Sequence, residues 1–227
     1  KETISTSDGL TREVNYKYPH EMASLGRDPN GIYQGMITRN IISPVVEQTI
    51  VKNGKISLER RNFIQPFSNI YVPGSVDVLN TVSNTDETRI RYEAYDNKGN
   101  PLSLAQEKGA KINYIWSYNG QYPIAEIKNA DYSSVVSALG GGAAITAFSI
   151  KPSPTTAEIN SFLANLRSSL PDAQISTFVY DPLVGLVSQT DAKGQTTYYE
   201  YDEFQRLKNV KDQNGNIIKN NIYHYKL

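Results

Sequence analysis

Two carboxylates that face each other across a cleft can cleave glycosidic bonds by acid–base chemistry, and five aspartates of this chain recur in similar sequence settings. They are Asp96, Asp181, Asp191, Asp202 and Asp212. Each begins or lies in a run typical of a turn, where an Asp side chain accepts hydrogen bonds from the backbone amides just ahead. Because turn capping explains the periodic spacing directly, we predict structural aspartates. A hydrolase is the least favoured hypothesis, and we expect no enzymatic activity.

Metal and cofactor chemistry finds little support in the residue types. The chain has two histidines, His20 and His224, far apart in sequence, and no cysteine. A zinc site would then need His with carboxylates at suitable spacings, and no such spacing is visible. The run Gly140–Gly142 lacks the Lys-Ser/Thr that follows the glycines of a phosphate-binding loop, and no G-x-S-x-G sequence is present. We therefore predict no catalytic residue, cofactor or metal ion.

Aromatic residues are the remaining candidates for binding chemistry. Aromatic-x-aromatic pairs occur at several places in the sequence, and residues i and i+2 of a strand point to the same face. Rings arranged in this way could stack on sugars or peptides, or they could pack against each other within a sheet, which the spacing favours. The possible ligand-stacking aromatics are Trp116, Tyr118, Tyr199, Tyr201, Tyr223 and Tyr225.

The aspartates and aromatics belong to one short unit that occurs three times. Tyr95-Asp96, Tyr180-Asp181 and Tyr201-Asp202 are each followed, thirteen residues after the Asp, by a glycine. The pattern predicts a turn, a strand, a second turn and a second strand. Gln205 stands where the first copy has Gly99, so we expect that turn to be more strained or differently shaped. One hairpin is marginally stable in water, so such units need neighbours.

These elements predict a mainly β fold, a curved antiparallel sheet of repeated β-hairpins with a small two-helix insertion. The predicted helices are Asp131–Leu139, with Asp131 as N-cap and Gly140 as the residue after its end, and the segment 156–170 behind a capping box at Thr155. We expect the apolar stripe of the second helix to pack on this domain rather than on a partner. His20–Asn30 is predicted as a loop, and Ile32–Ile42 and Ala143–Ile150 as strands.

Four regions follow from this assignment. Residues 1–94 are predicted as a divergent β-hairpin region, 95–128 as a Tyr-Asp (YD) repeat, 129–176 as the helical insertion, and 177–227 as tandem YD repeats. The chain begins within a pattern, which suggests an excised piece of a longer protein.

Charge and length exclude several partners. The chain has 227 residues, with 23 lysines and arginines against 23 acids, which argues against nucleic acid or an anionic membrane as the main partner. No apolar run is long enough to span a membrane. An excised sheet should have open edges, which are templates for pairing with another chain. We therefore expect self-association through edge strands.

The stretch from Tyr180-Asp181 to Tyr201-Asp202-Glu203-Phe204-Gln205-Arg206-Leu207 resembles the RHS/YD-repeat family, whose repeat ends in Tyr-Asp-x-x-Gly-Arg-Leu. It is most similar to long secreted or surface proteins of the Bacteroides type. The resemblance covers 95–127 and 175–227, and Gln205 departs from the motif. It implies a non-enzymatic segment of a β-shell wall, at the cell surface or secreted, with neighbouring repeats as partners. The alternative is a carbohydrate- or peptide-binding module that uses exposed aromatics.

Overall fold

The computed structural model describes residues 2–5 and 11–223. The chain divides into two compact units, Lys1–Gly109 and Ala110–Leu227. The division falls inside the segment 95–128, which the sequence indicated as one repeat. Each unit is mainly β, and its strands pair antiparallel with their neighbours in chain order. The prediction of a mainly β fold built from antiparallel hairpins is therefore confirmed.

Within its described residues, unit 1 contains seven strands and two helices. They are β1 (Glu2–Ser5), β2 (Thr11–Lys17), α1 (Pro19–Ser24), α2 (Ile32–Thr38), β3 (Glu47–Lys52), β4 (Lys55–Phe67), β5 (Ile70–Asn80), β6 (Thr85–Tyr95) and β7 (Pro101–Gln106). Successive strands from β1 to β7 form antiparallel pairs.

The two helices of unit 1 correct the prediction of a loop at 20–30 and a strand at 32–42. Pro19 occupies the first position of α1, where its missing N–H costs nothing, and the Glu21 carboxylate accepts from the Tyr18 amide at 2.8 Å. In α2, Tyr33 and Met36 lie three residues apart and are both buried. The β-branched residues Ile32, Ile37 and Thr38 of α2 also suit a strand, which is why the sequence favoured a strand there.

Unit 2 places a helical segment between strands. Its elements are β8 (Lys111–Ser117), β9 (Tyr122–Lys128), α3 (Tyr132–Ala138), α4 (Gly142–Ser149), α5 (Thr156–Leu163), α6 (Leu166–Ser169), β10 (Gln174–Asp181), β11 (Gly185–Thr190), β12 (Thr196–Tyr201), β13 (Leu207–Lys211) and β14 (Ile217–Asn220). The pairs β8–β9, β9–β10 and each later neighbouring pair are antiparallel.

The helical segment has four short helices where the sequence indicated two. The predicted strand at 143–150 is wrong, because these residues form α4 and bury Ile145 and Phe148 three positions apart. The predicted helix at 156–170 is split into α5 and α6. Its capping box is confirmed, with the Glu158 amide donating to the Thr155 hydroxyl at 3.2 Å and the Thr155 amide donating to the Glu158 carboxylate at 2.8 Å.

The apolar stripe of this segment packs within unit 2, as predicted. Ile159, Leu163 and Leu166 are buried with Ile124 and Ile127 of β9 in one hydrophobic cluster. Phe162 and Leu170 are partly buried against the same cluster. None of the helices in the described part of the chain is long and apolar enough to cross a membrane.

The predicted ends of α3 fall in the expected places. Asp131 is the N-cap residue, but its carboxylate accepts from Lys111 Nζ at 2.8 Å instead of capping the helix. Gly140 follows the C-cap residue with φ of +83°, the left-handed conformation that a glycine adopts after a helix end.

Candidate functional site: repeated Asp turns and tyrosine contacts

Four of the five recurring aspartates close turns with one shared geometry. In each turn a single carboxylate oxygen accepts from the amides two and four residues ahead, at 2.8–3.0 Å. In each, the backbone of the Asp also exchanges two hydrogen bonds with the residues three and four ahead. The four are Asp96, Asp191, Asp202 and Asp212. The turn-capping prediction is confirmed for these residues.

Hydrogen bonds to the carboxylates favour their charged form. The Arg206 side chain donates to Asp202 and holds the pKa of that carboxyl below its ordinary value. The Asn216 side chain donates to Asp212 at 2.9 Å and lowers the pKa of Asp212 in the same way. The carboxylates therefore serve as acceptors for their own turns.

Gln205 adopts the conformation of the glycine that it replaces. Its φ is +61°, and its amide donates to the Asp202 carbonyl at 2.9 Å. Gly99 makes the equivalent bond to Asp96 at 3.1 Å with φ of +87°. The expectation of a differently shaped turn is therefore wrong. The expectation of strain stands, because a side chain at positive φ costs energy that glycine avoids.

The turn at Asp181 differs from the other four. The Val184 amide donates to the Asp181 carbonyl at 3.1 Å, and Leu183 takes the positive φ, at +79°. Gly185 comes one residue later than the glycines of the other turns, and it pairs with Asp181 in the sheet. Leu183 is 91% exposed, so this turn projects an apolar side chain into solvent.

Tyrosine hydroxyls connect the hairpins of unit 2 to one another. Tyr201, at the end of β12, donates to the carbonyl oxygen of Leu186 at the start of β11, at 2.9 Å. Tyr223, which follows β14, donates to the carbonyl oxygen of Leu207 at the start of β13, also at 2.9 Å. Leu186 and Leu207 occupy the Leu position of the repeat, so each contact joins one repeat to the preceding one.

Gly185 makes room for one of these contacts. A Cβ atom built on Gly185 would lie 2.7 Å from the Tyr201 hydroxyl oxygen, closer than a carbon and an oxygen approach without bonding. The Gly185 backbone also has φ of +146°. A glycine at this position is therefore required by its backbone conformation and by its neighbour.

Tyr118 forms a buried counterpart of these contacts. It is 1% exposed, and its hydroxyl both donates to the Tyr180 carbonyl and accepts from the Tyr180 amide, each at 2.9 Å. Burial raises the pKa of Tyr118. The rings of Tyr122 and Tyr180 stack at 4.7 Å, and both meet Tyr118 edge-on. This cluster therefore ties the end of β10 to the residues between β8 and β9.

The structure does not place the candidate stacking aromatics in one environment. Tyr118 has φ of +54° and packs in the core, so it does not share a strand face with Trp116, which is half-buried and contacts Tyr114. Tyr199 and Tyr201 are half-buried in β12. Tyr223 is 43% exposed and carries the Arg206 guanidinium over its ring at 4.2 Å. Tyr225 lies outside the described residues. A ligand-stacking role stays a prediction for the aromatics other than Tyr118.

His20 takes no part in these contacts among the described residues. His20 is exposed and its ring stacks on Tyr18 at 6.1 Å, and His224 lies outside the described range. Within the ranges 2–5 and 11–223, no group of three or more His, Cys, Asp or Glu side chains is placed to hold a metal ion.

Arg167 is a structural residue that the sequence did not reveal. Its guanidinium donates to the carbonyl oxygens of Ile175 and Asp191, both at 2.8 Å, and of Ala192 at 3.1 Å. It therefore joins α6 to the second turn of a repeat. Nothing in the local sequence distinguishes this arginine, because its partners are backbone atoms distant in the chain.

No protein-family model matches this chain, and no curated protein sequence matches it. Among solved structures, the chain is similar to TcdB2–TccC3 without its hypervariable C-terminal region, with a TM-score of 0.43 and 12% identity, over 93% of this chain and 11% of that one. It is similar to the Tc holotoxin pore of Photorhabdus luminescens with a mutated TccC3 (TM-score 0.42, 12% identity, 93% and 11% covered). It is also similar to TcdB2–TccC3 (TM-score 0.42, 14% identity, 93% and 11% covered). The chain thus spans about a tenth of the length of these relatives.

Proposed function

We propose that this chain is a non-enzymatic structural segment of a large secreted or surface protein of the RHS/YD-repeat type, in which it forms part of a β-shell wall. The observation that carries the proposal is the repeated contact between a tyrosine hydroxyl and the Leu carbonyl of the preceding repeat, at Tyr201–Leu186 and Tyr223–Leu207. A wall needs each hairpin to be held by its neighbour, and these contacts supply that link.

The energies of the individual contacts support mutual dependence of the hairpins. A cross-strand side-chain pair contributes roughly 0.2–1 kcal/mol, and a hydrogen bond contributes about 1 kcal/mol net. A single hairpin held by such terms is marginal in water. Stability of a repeat array therefore comes from the interfaces between neighbouring units.

The partners in this proposal are neighbouring repeats of the parent chain. β14 pairs with β13 along one side, and its residues Ile217 and Ile218 are 56% and 62% exposed. A strand edge offers backbone donors and acceptors to a further strand. We propose that this edge recruits another strand, from the same protein or from a second copy. Light scattering of the isolated chain is expected to show association that rises with concentration, and a strict monomer would contradict recruitment of a second copy.

The alternative is carbohydrate or peptide binding through exposed aromatics, and it has less support. Tyr118 is buried with its hydroxyl engaged on Tyr180, and the hydroxyls of Tyr201 and Tyr223 are engaged on the sheet backbone. A glycan array probed with the chain discriminates between the two. We expect no hits, whereas binding that Trp116→Ala abolishes would favour the alternative.

Limited proteolysis tests the structural role. Replacing the linking hydroxyls, in the double variant Tyr201→Phe and Tyr223→Phe, is expected to speed cleavage within 185–211. Tyr198→Phe is the matched control, because Tyr198 is a 43% exposed tyrosine of the same strand, β12. Equal cleavage rates for the double variant and the control would overturn the proposal. A panel of glycosidase and esterase substrates is expected to give no turnover.

A further inference from the structure

Asparagine followed by glycine is a sequence prone to lose its side-chain ammonia, because glycine lets its own backbone nitrogen approach the asparagine side-chain carbon. The chain has four such pairs, Asn30-Gly31, Asn53-Gly54, Asn119-Gly120 and Asn214-Gly215. The attack requires a glycine amide that is not held by a hydrogen bond, and an asparagine side chain that can turn toward it. Since the four pairs share one dipeptide sequence, the surrounding structure decides which of them reacts.

Three of the four glycine amides are held by a backbone hydrogen bond. The amides of Gly31, Gly120 and Gly215 donate to the carbonyl oxygens of Asp28, Ser149 and Asp212, at 3.1, 3.1 and 3.0 Å. Each bond must break before the nitrogen can attack. Beside Gly215, the Asp212 carboxylate also accepts from the Asn214 amide at 2.9 Å, and its negative charge opposes the negative charge that the attack develops. These three pairs are therefore protected.

The amide of Gly54 is not held in this way. Asn53 and Gly54 form the tip of the hairpin between β3 and β4, with φ of +51° and +74°, as in the type I′ turn that Asn-Gly favours. The residues that flank this turn, Lys52 and Lys55, face each other in register. Among the described residues, neither the Gly54 amide nor the Asn53 side chain makes a hydrogen bond. Both residues are exposed, and nothing lies within 4 Å of a Cβ built on Gly54.

Cations surround this hairpin tip. Lys52 and Lys55 are exposed and opposite each other, and Arg12 of β2 lies opposite Lys52 on its other side. The carboxylate of Glu13 belongs to the other face of the sheet, because successive side chains of a strand alternate. Positive charge stabilises the negative charge that develops on the attacking nitrogen and on the tetrahedral intermediate. Hydrogen bonding and charge thus single out the same pair.

We propose that Asn53 is a site of spontaneous deamidation, with water as the only co-reactant. The Gly54 nitrogen bonds to the Asn53 side-chain carbonyl carbon, the bond from that carbon to the side-chain nitrogen breaks, and ammonia leaves with the proton of the Gly54 amide. Water then opens the resulting succinimide ring at either carbonyl, which gives aspartate or isoaspartate. Nothing is oxidised or reduced. The site lies in unit 1 and does not depend on the proposed structural role.

The two products act differently on the hairpin. Aspartate keeps the turn, since Asp-Gly suits it as Asn-Gly does, and it brings a carboxylate between Lys52 and Lys55. Isoaspartate adds a carbon atom to the main chain and disrupts the two-residue turn. The register between β4 and β5 begins at Glu59, so residues 55–58 depend on their pairing with β3. These residues are expected to fray in the isoaspartate form.

The test incubates the whole chain in mildly alkaline buffer and then cleaves it after glutamate, which places the four Asn-Gly pairs in separate peptides. Mass spectrometry measures the conversion of amide to carboxyl in each peptide. We expect Asn53 to convert at least about tenfold faster than the other three, a factor that the loss of one hydrogen bond accounts for. In urea the four rates are expected to become similar. Equal rates in the folded chain, or a lead of Asn53 that persists unchanged in urea, would overturn the proposal.

Two variants test the cause and the consequence. Asp212→Ala removes the carboxylate that closes the turn around Asn214, so it is expected to raise the Asn214 rate severalfold and to leave the Asn53 rate unchanged. An Asn214 rate equal to that of the wild type would contradict protection by the turn. Asn53→Gly suits the positive φ but has no amide to lose. After incubation, hydrogen exchange at 55–58 should rise in the wild type and not in Asn53→Gly, and equal exchange in the two would contradict the fraying.

Discussion

The hydroxyl group of Tyr201 donates to the carbonyl oxygen of Leu186 at 2.9 Å, across fifteen residues of sequence. The aromatic residue thus acts through its polar end, while its half-buried ring packs on the sheet. The same relationship holds between Tyr223 and Leu207. Tyr201 and Tyr223 therefore each link one repeat to the preceding one, and Asp202, which follows Tyr201, closes the turn within its own repeat.

Removing the Tyr201 hydroxyl should weaken unit 2 without changing its packing. Tyr201→Phe is expected to lower the free energy of unfolding by about 1 kcal/mol, the net contribution of one hydrogen bond. Urea denaturation measures the change. Tyr198→Phe, on the exposed side of the same strand, should leave the free energy within about 0.5 kcal/mol of wild type.

Gly185 should tolerate a side chain less well than Gly194. In Gly185→Ala the new methyl group would lie 2.7 Å from the Tyr201 hydroxyl at a backbone φ of +146°, so we expect a loss of about 2 kcal/mol or more. Gly194 has φ of +83° with nothing within 4 Å of a built Cβ, so Gly194→Ala should cost only the backbone strain, about 1 kcal/mol. Thermal unfolding of the two variants would refute this order if Gly194→Ala were the less stable.

Exchanging residues between two equivalent turns should move stability in opposite directions. Gln205 has φ of +61° and Gly215 has φ of +83°, and both follow an Asp by three residues. Gln205→Gly should stabilise the chain by about 0.5 kcal/mol, because relief of strain exceeds the added flexibility of the unfolded chain. Gly215→Gln should destabilise it by about 1 kcal/mol. If chemical denaturation showed both variants to be more stable than wild type, or both to be less stable, the shared turn geometry would be contradicted.

Loss of the Glu47 charge should destabilise unit 1 in a pH-dependent way. Burial alone would raise the pKa of Glu47, but hydrogen bonds from Lys17 and Arg60 outweigh it and hold the pKa below its ordinary value of 4.5. Glu47→Gln leaves three cations with less compensation, so we expect a loss of about 3 kcal/mol at neutral pH.

The sign of the pH dependence follows from that depressed pKa. The stabilisation by the Glu47 charge is complete above the ordinary pKa of 4.5 and is lost as the pH falls through the lower folded value, because the unfolded chain then binds the proton more readily. The difference in unfolding free energy between wild type and Glu47→Gln should therefore shrink below pH 4.5. A difference that stayed constant into acid would show that the charge of Glu47 is not the cause.

The features that sequence reasoning recovered are those determined within a few residues. The Asp202 turn is fixed by its own carboxylate and the amides that follow, and the start of α5 is fixed by Thr155 and Glu158. These hydrogen bonds can be predicted from the sequence because donor and acceptor are near neighbours in the chain. The same holds for the hairpin order, since each Asp turn joins adjacent strands.

The features that it missed depend on distant contacts. Helices α1 and α2 are held by the burial of Met22 and Met36 against Val46 and by the ion pair of Arg27 with Glu47, none of which has a local signature. Tyr118 was predicted on a strand face, but its contact with Tyr180, 62 residues away, draws it into the core.

Native-state hydrogen exchange of wild type and Tyr201→Phe tests the central claim, that the hairpins of unit 2 are stable only together. We expect the amides of β10 to β13 to open with a common free energy, and the variant to lower that free energy by a similar amount, about 1 kcal/mol, in all four strands. A loss of protection confined to the amides around Tyr201 and Leu186, with the other strands unchanged, would contradict the account.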